Sequence, residues 1–150
     1  MSREERKRRM PSYLATEIRQ TVPDVIHPTS EWAWESDSEL AGHCYVASEA
    51  FYHATGEQHQ AQLTPQVVSF DVVDQRGHTH TVSHWYLEAD NGQIIDLTED
   101  QFDAVERSIP RDEAVGKGFV PPSPCNDTQR VLHKIEDRLS EYVDIEWAKQ

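Results

Sequence analysis

The sequence has few lysines and many acidic residues, and this balance argues against nucleic-acid binding. Only four of its 14 basic residues are lysines, and 27 acidic residues give a formal net charge of −13. A surface this acidic argues against specific nucleic-acid binding, because that binding requires cations that neutralise phosphates. Carboxylates stay hydrated and their mutual repulsion is screened in concentrated salt, so the composition predicts a halophilic source. The alternative is an ordinary acidic cytosolic protein.

Cysteines and apolar runs are also scarce. Two cysteines, Cys44 and Cys125, are too few for a disulfide framework. No segment approaches the roughly 20 apolar residues of a membrane-spanning helix. The basic start leads into Pro11 and an amphipathic stretch, which is unlike a secretory signal. We therefore expect a cytoplasmic protein without membrane partners, in a reducing compartment that keeps Cys44 as a thiol.

The chain does contain a helix–sheet–helix pattern within 150 residues, the size of one domain. Residues 1–11 are basic and predict a flexible arm, and residues 12–150 predict one α+β domain. Apolar spacing predicts helices over residues 13–21, from residues 38–42 to Gly56, and from Asp127 or Thr128 past Tyr142. Strands are expected over residues 66–73, 79–88 and 93–97. A Thr98-x-x-Gln101 capping box predicts a short helix over residues 99–107.

Cys44 is the strongest candidate for a chemical role. It occupies the first turn of the predicted central helix, where the helix dipole favours thiolate over thiol. The Cys44 N–H would donate one hydrogen bond to a substrate oxyanion, with Ser38 or His43 as the second donor. Gly42 would leave room for the substrate carbonyl. The alternative is that Cys44 is a small buried residue of a core helix, as free cysteines often are.

Two later residues, His84 and Asp96, are the expected partners of the thiol. A three-residue loop over residues 90–92 would place them diagonally on one face of a hairpin. This loop is preferred to a two-residue turn because its register collects four apolar residues on the other face: Trp85, Leu87, Ile95 and Leu97. His84 would take the Cys44 proton and Asp96 would fix the imidazole tautomer. Trp85 and Tyr86, beside His84, are the expected substrate-adjacent residues.

The histidines His78, His80 and His84 raise the alternative of a metal site. At about 3.3 Å per residue along one strand, the outer two would lie roughly 20 Å apart, too far for a single ion. His80 and His84 are also too far apart without ligands from elsewhere. The sequence therefore predicts no metal and no other cofactor.

Three motifs together resemble the YunG-like family of small prokaryotic and viral proteins. They are Gly42-x-Cys44-x-Val46, Ser83-His84-Trp85-Tyr86 and Gly92-x-Ile94-x-Asp96-Leu97-Thr98-x-x-Gln101-Phe102. Gly116-x-Gly118-Phe119, followed by Pro122-Ser123, is similar to a segment of the viral members. The resemblance covers about residues 32–135. Cellular members often have glutamine immediately before the cysteine, where this chain has His43.

The resemblance implies a papain-like core, as in NlpC-type peptidases, transglutaminases and arylamine acetyltransferases. In such a core the helix that carries the cysteine packs on a small antiparallel sheet, with a further helix at the C-terminus. It also implies Cys44 as nucleophile, His84 as base and Asp96 as the third member of a triad. A viral member would reside in the host cytoplasm or in the virion.

The sequence thus predicts a cysteine-dependent hydrolase or acyl transferase acting on a peptide, isopeptide or other amide or acyl substrate. The alternative is a papain-like protein without turnover that binds a host factor or a virion component. A metal-binding regulatory protein is the third hypothesis.

Overall fold

The computed structural model describes residues 3–55 and 62–139, with side chains over 13–55 and 62–136. In this part of the chain the α-helices are α1 (Arg3–Val25), α2 (Glu31–Glu35), α3 (Cys44–Ala54) and α4 (Asn126–Leu139). The strands are β1 (Leu63–Val73), β2 (Thr79–Ala89), β3 (Ile94–Ile95) and β4 (Val115–Gly116). Two 3-10 helices, Glu99–Val105 and Arg111–Glu113, lie between β3 and β4. The architecture is α+β, as the sequence predicts.

The four strands form one antiparallel sheet in the order β3-β2-β1-β4. The long β1–β2 hairpin pairs from Leu63 with Ala89 to Val73 with Thr79. Its turn is closed by Asp74, whose Oδ1 accepts hydrogen bonds from the backbone N–H groups of Arg76 and His78. A short aspartate side chain that bonds to nearby backbone in this way is a common turn device.

The register between β2 and β3 is the predicted one. Leu87 pairs with Ile95, and the Ala89 N–H donates to the Gln93 carbonyl at 2.9 Å. These contacts close the three-residue loop over residues 90–92. Side chains alternate along a strand, so this register turns Leu87 to one face and His84 to the other.

Two apolar clusters cover the opposite faces of this sheet. The larger cluster joins Leu87 to buried residues of three helices: Leu14, Ile18 and Val22 of α1, Ala47 and Ala50 of α3, and Val131 and Ile135 of α4. The smaller cluster joins Trp32 of α2 and Phe102 to alternate residues of the hairpin: Val68, Phe70, Val72, Val82 and Tyr86. The candidate site lies between α3 and the smaller cluster.

The first helix is longer than predicted at both ends. Residues 3–11, expected to be a flexible arm, belong to α1, consistent with the high helix propensity of arginine, lysine and glutamate. The predicted end at Pro23 is also wrong. Proline removes its own N–H and crowds the carbonyl four residues earlier, yet the helix continues, because the Ile26 N–H still donates to the Val22 carbonyl at 2.9 Å.

Two other local predictions are only partly correct. The strand expected over residues 93–97 is reduced to Ile94–Ile95, and the helix over 99–107 is a 3-10 helix that ends at Val105. The capping box does not form as predicted, because the Thr98 N–H donates to Asp96 instead of to Gln101. The described residues do not include Gly56, which was expected to end the central helix, or Tyr142, which the last helix was expected to pass. Among the described helices, none has both the length and the apolar character needed to cross a bilayer.

Candidate active site

The hairpin register brings His84 and Asp96 together. Their side chains meet with His84 Nε2 2.6 Å from Asp96 Oδ2, and each side chain is only 1% exposed. The prediction that the two residues share one face is therefore confirmed. His84 also packs edge-on against Phe102, with 5.1 Å between ring centroids. The imidazole is thus fixed in position by a carboxylate and by an aromatic wall.

Asp96 is held in place by three donors. Its Oδ1 accepts a hydrogen bond from the Thr98 N–H at 3.2 Å, and its Oδ2 accepts from His84 and from Arg111 Nη2, the latter at 3.1 Å. Arg111 also donates to Glu99 at 2.8 Å. Hydrogen bonds from several donors, two of them on side chains that can carry positive charge, hold the carboxylate in one orientation.

Arg111 is a residue of the site that no sequence pattern predicts. Its guanidinium lies over the Tyr86 ring, 4.5 Å from the centroid, which is a cation–π contact. It follows Asp96 by 15 positions and begins the second 3-10 helix, outside the hairpin. No periodic pattern links such a residue to the hairpin, so the sequence carries no signal for this contact.

These neighbours keep His84 charged. Burial alone would lower the pKa of His84, but the hydrogen bond to Asp96 and the proximity of Cys44 outweigh burial and raise the pKa to about 9. A histidine with this pKa carries its proton at neutral pH and forms an ion pair with Asp96.

Cys44 is the first residue of α3 and is half-buried. Its Sγ lies 3.5 Å from the carbonyl oxygen of Ser83, the residue before His84. Among the described residues, no hydrogen-bond partner reaches the buried Nδ1 of His84, whereas Nε2 is occupied by Asp96. Nδ1 is therefore the nitrogen available to exchange a proton with the Cys44 thiol.

The start of α3 offers backbone donors next to this thiol. The residue before Cys44 is His43, and within the described part of the chain no side chain caps the helix there. The first N–H groups of a helix have no partner inside the helix, so they can bind an anion.

Cys44 and His84 line the same cleft, which has a volume of about 540 Å³. Its walls are aromatic and hydroxyl-bearing side chains, contributed mainly by α2, the start of α3 and β2. The aromatic members are Trp32, Tyr45, Trp85 and Phe102, and the hydroxyl members are Ser30, Thr79, Thr81 and Ser83. Trp32 is fixed by donating from Nε1 to Gln101 Oε1 at 2.8 Å.

Gly42 also lines the cleft, but not for the expected reason. Its φ is +84°, a conformation that favours glycine, and a Cβ there would lie 2.8 Å from the Cβ atoms of both Pro28 and Ala33. The space beside Gly42 is therefore filled by protein and does not leave room for a substrate carbonyl. Its role is to let the chain turn tightly into α3.

Ser38, His43 and Tyr86 are not brought into the cleft. The Ser38 hydroxyl accepts a hydrogen bond from the Leu40 N–H. His43 is 3% exposed, and burial together with nearby His27 lowers its pKa, which favours the neutral imidazole. Tyr86 is buried under Arg111. Of the expected oxyanion and substrate-adjacent residues, Gly42 and Trp85 share the cleft wall with Cys44, and the Trp85 ring meets Tyr45 edge-on.

Comparison with known protein families, with curated protein sequences and with solved structures gives no match for this chain.

Proposed function

We propose that the protein is a cysteine-dependent hydrolase or acyl transferase that acts on a peptide, isopeptide or related amide bond. One observation carries the proposal: the buried, charged His84 bonds to Asp96 through Nε2 and keeps Nδ1 free of other described partners, beside a cleft lined by the Cys44 thiol. A nucleophile, a base and a group that orients the base form the usual arrangement of covalent catalysis.

In the proposed first step, the thiolate of Cys44 attacks the substrate carbonyl carbon. The new S–C bond moves the carbonyl π electrons onto oxygen, where the N–H of Cys44 at the uncapped start of α3 supports the negative charge. Collapse of this adduct breaks the C–N bond, and the leaving amine takes the proton from Nδ1 of His84. The product of this step is a thioester on Cys44.

In the second step, water or an acceptor amine attacks the thioester and gives its proton to Nδ1 of His84. The S–C bond breaks, and the Cys44 thiolate is restored beside a charged imidazole. Asp96 stabilises that charge throughout and keeps Nε2 protonated. Arg111 positions Asp96 and does not contact the reacting atoms.

The papain-like core belongs to this proposal. The order Cys44, His84, Asp96, with the cysteine at a helix start and the other two in or beside neighbouring strands, is consistent with it. The resemblance to the YunG-like family points the same way.

The cleft favours a neutral substrate, because two charged residues that line it, Glu31 and His84, have opposite signs. Among its lining residues, Glu31 is acidic, the others being aromatic, aliphatic, hydroxyl, amide, glycine, thiol or imidazole side chains. Flat aromatic walls bind extended peptide or amide groups by contact area, whereas an acidic ligand would find no arginine or lysine among these residues.

Covalent labelling tests the proposal. We expect a set of dipeptidyl acyloxymethyl ketones, which alkylate nucleophilic thiols, to give one adduct per chain, located on Cys44 by peptide mass spectrometry. Cys44→Ala should abolish the adduct, and Cys125→Ser should leave its rate unchanged. Labelling of Cys125 as fast as Cys44, or no labelling with any probe, would contradict an enzyme and favour the non-catalytic alternative.

A further inference from the structure

A second cluster of ligand-type side chains lies at the far end of the hairpin from Asp96. Glu35 ends α2, Asp74 opens the β1–β2 turn, and His80 lies near the start of β2. Each offers one ligand atom, and these atoms all lie within 4.8 Å of one another. We propose that Glu35, Asp74 and His80 bind one divalent transition-metal ion of the zinc type, which joins α2 to the β1–β2 turn.

The spacing of the ligand atoms supports this proposal. His80 Nε2 lies 2.7 Å from Asp74 Oδ2 and 3.2 Å from Glu35 Oε2. Four ligands at zinc distances of about 2.0–2.1 Å in a tetrahedron are separated by roughly 3.3 Å. An ion could therefore replace the proton between these groups with small side-chain shifts.

The charge of the cluster gives a second, independent reason. Two carboxylates converge on a single imidazole nitrogen, and the Asp74 and His80 side chains are 1% and 5% exposed. Among the described residues, Glu35 and Asp74 form ion pairs with histidines alone and with no lysine or arginine. Two carboxylates that meet here without a lysine or arginine partner among the described residues carry negative charge that a divalent cation would balance.

Asp74 is suited to two tasks at once. Its Oδ1 closes the turn by accepting from two backbone N–H groups, while Oδ2 points at His80. The turn thus orients the carboxylate before any ion binds, as outer hydrogen bonds do in metal sites. His78, 61% exposed, lies at the rim with Nδ1 3.1 Å from Glu35 Oε2. The fourth position is left to His78 or to water.

The donor atoms select the class of ion. Imidazole nitrogen suits zinc, cobalt and similar ions, whereas sites for magnesium and calcium use oxygen alone. The wide spacing of His78, His80 and His84 along the chain does not argue against this site. His84 is not a ligand here, and Glu35 and Asp74 come from outside β2.

Binding would fix one wall of the cleft. Trp32 lies one helical turn before Glu35, and its ring contacts the His80 ring at 5.7 Å between centroids. Both Trp32 and His80 line the cleft that contains Cys44. An ion between Glu35 and His80 would therefore hold α2 and Trp32 against β2. Its role is structural, and the reacting atoms do not touch it.

The test is a titration of the full chain with CoCl2 and, separately, with ZnCl2. A chelator first removes any bound metal. It is run in about 1 M KCl, where weak binding to the acidic surface is screened. We expect one ion per chain, with the visible absorption of tetrahedral cobalt and without a thiolate-to-cobalt charge-transfer band. Zinc should displace the cobalt and raise the melting temperature.

Variants locate the site. Glu35→Gln and His80→Gln should each weaken zinc binding by at least about tenfold, the effect that even outer partners of a metal have. Glu39→Gln and His133→Gln, at exposed positions, are the matched controls and should bind as the unmodified chain does. Cys44→Ser should also leave binding intact. If His80→Gln does not fold, Glu35→Gln, whose side chain is 25% exposed, still decides the question.

Three results would overturn the proposal. They are the absence of saturable cobalt or zinc binding, affinity unchanged in Glu35→Gln, and a thiolate band that Cys44→Ser removes. The last result would assign the ion to Cys44 and His84 instead.

Discussion

The two ring nitrogens of His84 have different surroundings. Asp96 holds Nε2 from within the same hairpin, whereas Nδ1 is buried and has no hydrogen-bond partner among the described residues. Burial opposes a charged imidazole, so the charge on His84 depends on the carboxylate. The pKa of His84 is therefore sensitive to changes at Asp96.

Replacing Asp96 should therefore move that pKa. In Asp96→Asn the carboxylate is lost while burial remains, so we expect the pKa of His84 to fall from about 9 by more than about one unit. The measurement is an NMR titration of the His84 ring protons. Asp100→Asn is the control, because Asp100 pairs with Arg19 and not with His84. An unchanged pKa in Asp96→Asn would mean that the ion pair does not set the charge.

The same pKa carries a pH dependence of stability. His84 is raised from 6.5 to about 9 in the folded chain, so its contribution is complete below about pH 6.5 and is lost as pH rises through 9. One pKa unit corresponds to about 1.4 kcal/mol, so the free energy of unfolding should fall by on the order of 3 kcal/mol across this window. Urea unfolding at several pH values measures it. In His84→Gln this loss should be absent, and an equal loss in both proteins would contradict the assignment.

Contacts between residues of one hairpin could be predicted from the sequence. Contacts between residues that meet only through tertiary packing could not. His84 and Asp96 were found because alternation and loop length fix their faces locally. Arg111 reaches Asp96, and Glu35 reaches His80, only because elements that are distant in the sequence pack together. Such contacts have no periodicity along the chain.

At the scale of elements, the approach of the chain to α3 decides where Cys44 lies. Gly42 makes this approach possible, with positive φ and with Pro28 and Ala33 in the space of a Cβ. The helix that follows Gly42 could be predicted from the sequence. The role predicted for Gly42 itself, to leave room for the substrate carbonyl, was wrong. The error arose because the packing of residues 28–33 against Gly42 is not a local property.

Gly42→Ala should destabilise the fold more than a substitution in an open turn. We expect the free energy of unfolding to fall by about 3 kcal/mol, from backbone strain combined with displacement of two packed side chains. Gly92→Ala is the matched control, with φ of +87° but no atom within 4 Å of the added Cβ. It should lose only about 1 kcal/mol. Urea denaturation compares the two, and equal losses would show that the contacts at Gly42 are not tight.

At the scale of the whole molecule, the net charge of −13 is the dominant feature. Mutual repulsion of surface carboxylates destabilises the compact state and is reduced by salt. The acidity could be read from composition alone, whereas the length of α1 could not. Pro23 was expected to end that helix, and the packed residues around it continue the helix instead.

Salt should therefore stabilise the protein, and the melting temperature should rise with salt concentration and then level off. We expect the melting temperature to rise by about 5 °C between about 0.05 M and 1 M KCl and to change little above 1 M, where the Debye length is only about 3 Å. Thermal unfolding followed by circular dichroism measures the rise. A rise that continues linearly to higher salt would indicate general solvent exclusion, and no rise would contradict the role of charge repulsion.

The most direct test of the central claim is the rate of Cys44 alkylation by iodoacetamide as a function of pH, in a Cys125→Ser background. If His84 activates the thiol, the rate at pH 7 should exceed that of His84→Gln by at least about tenfold, and the two rates should converge near pH 10. His133→Gln is the control, because the His133 side chain is 90% exposed. Its Cys44 should be alkylated as fast as in the protein with only the Cys125→Ser substitution. Equal rates with and without the His84→Gln substitution at every pH would contradict a catalytic pairing of Cys44 with His84.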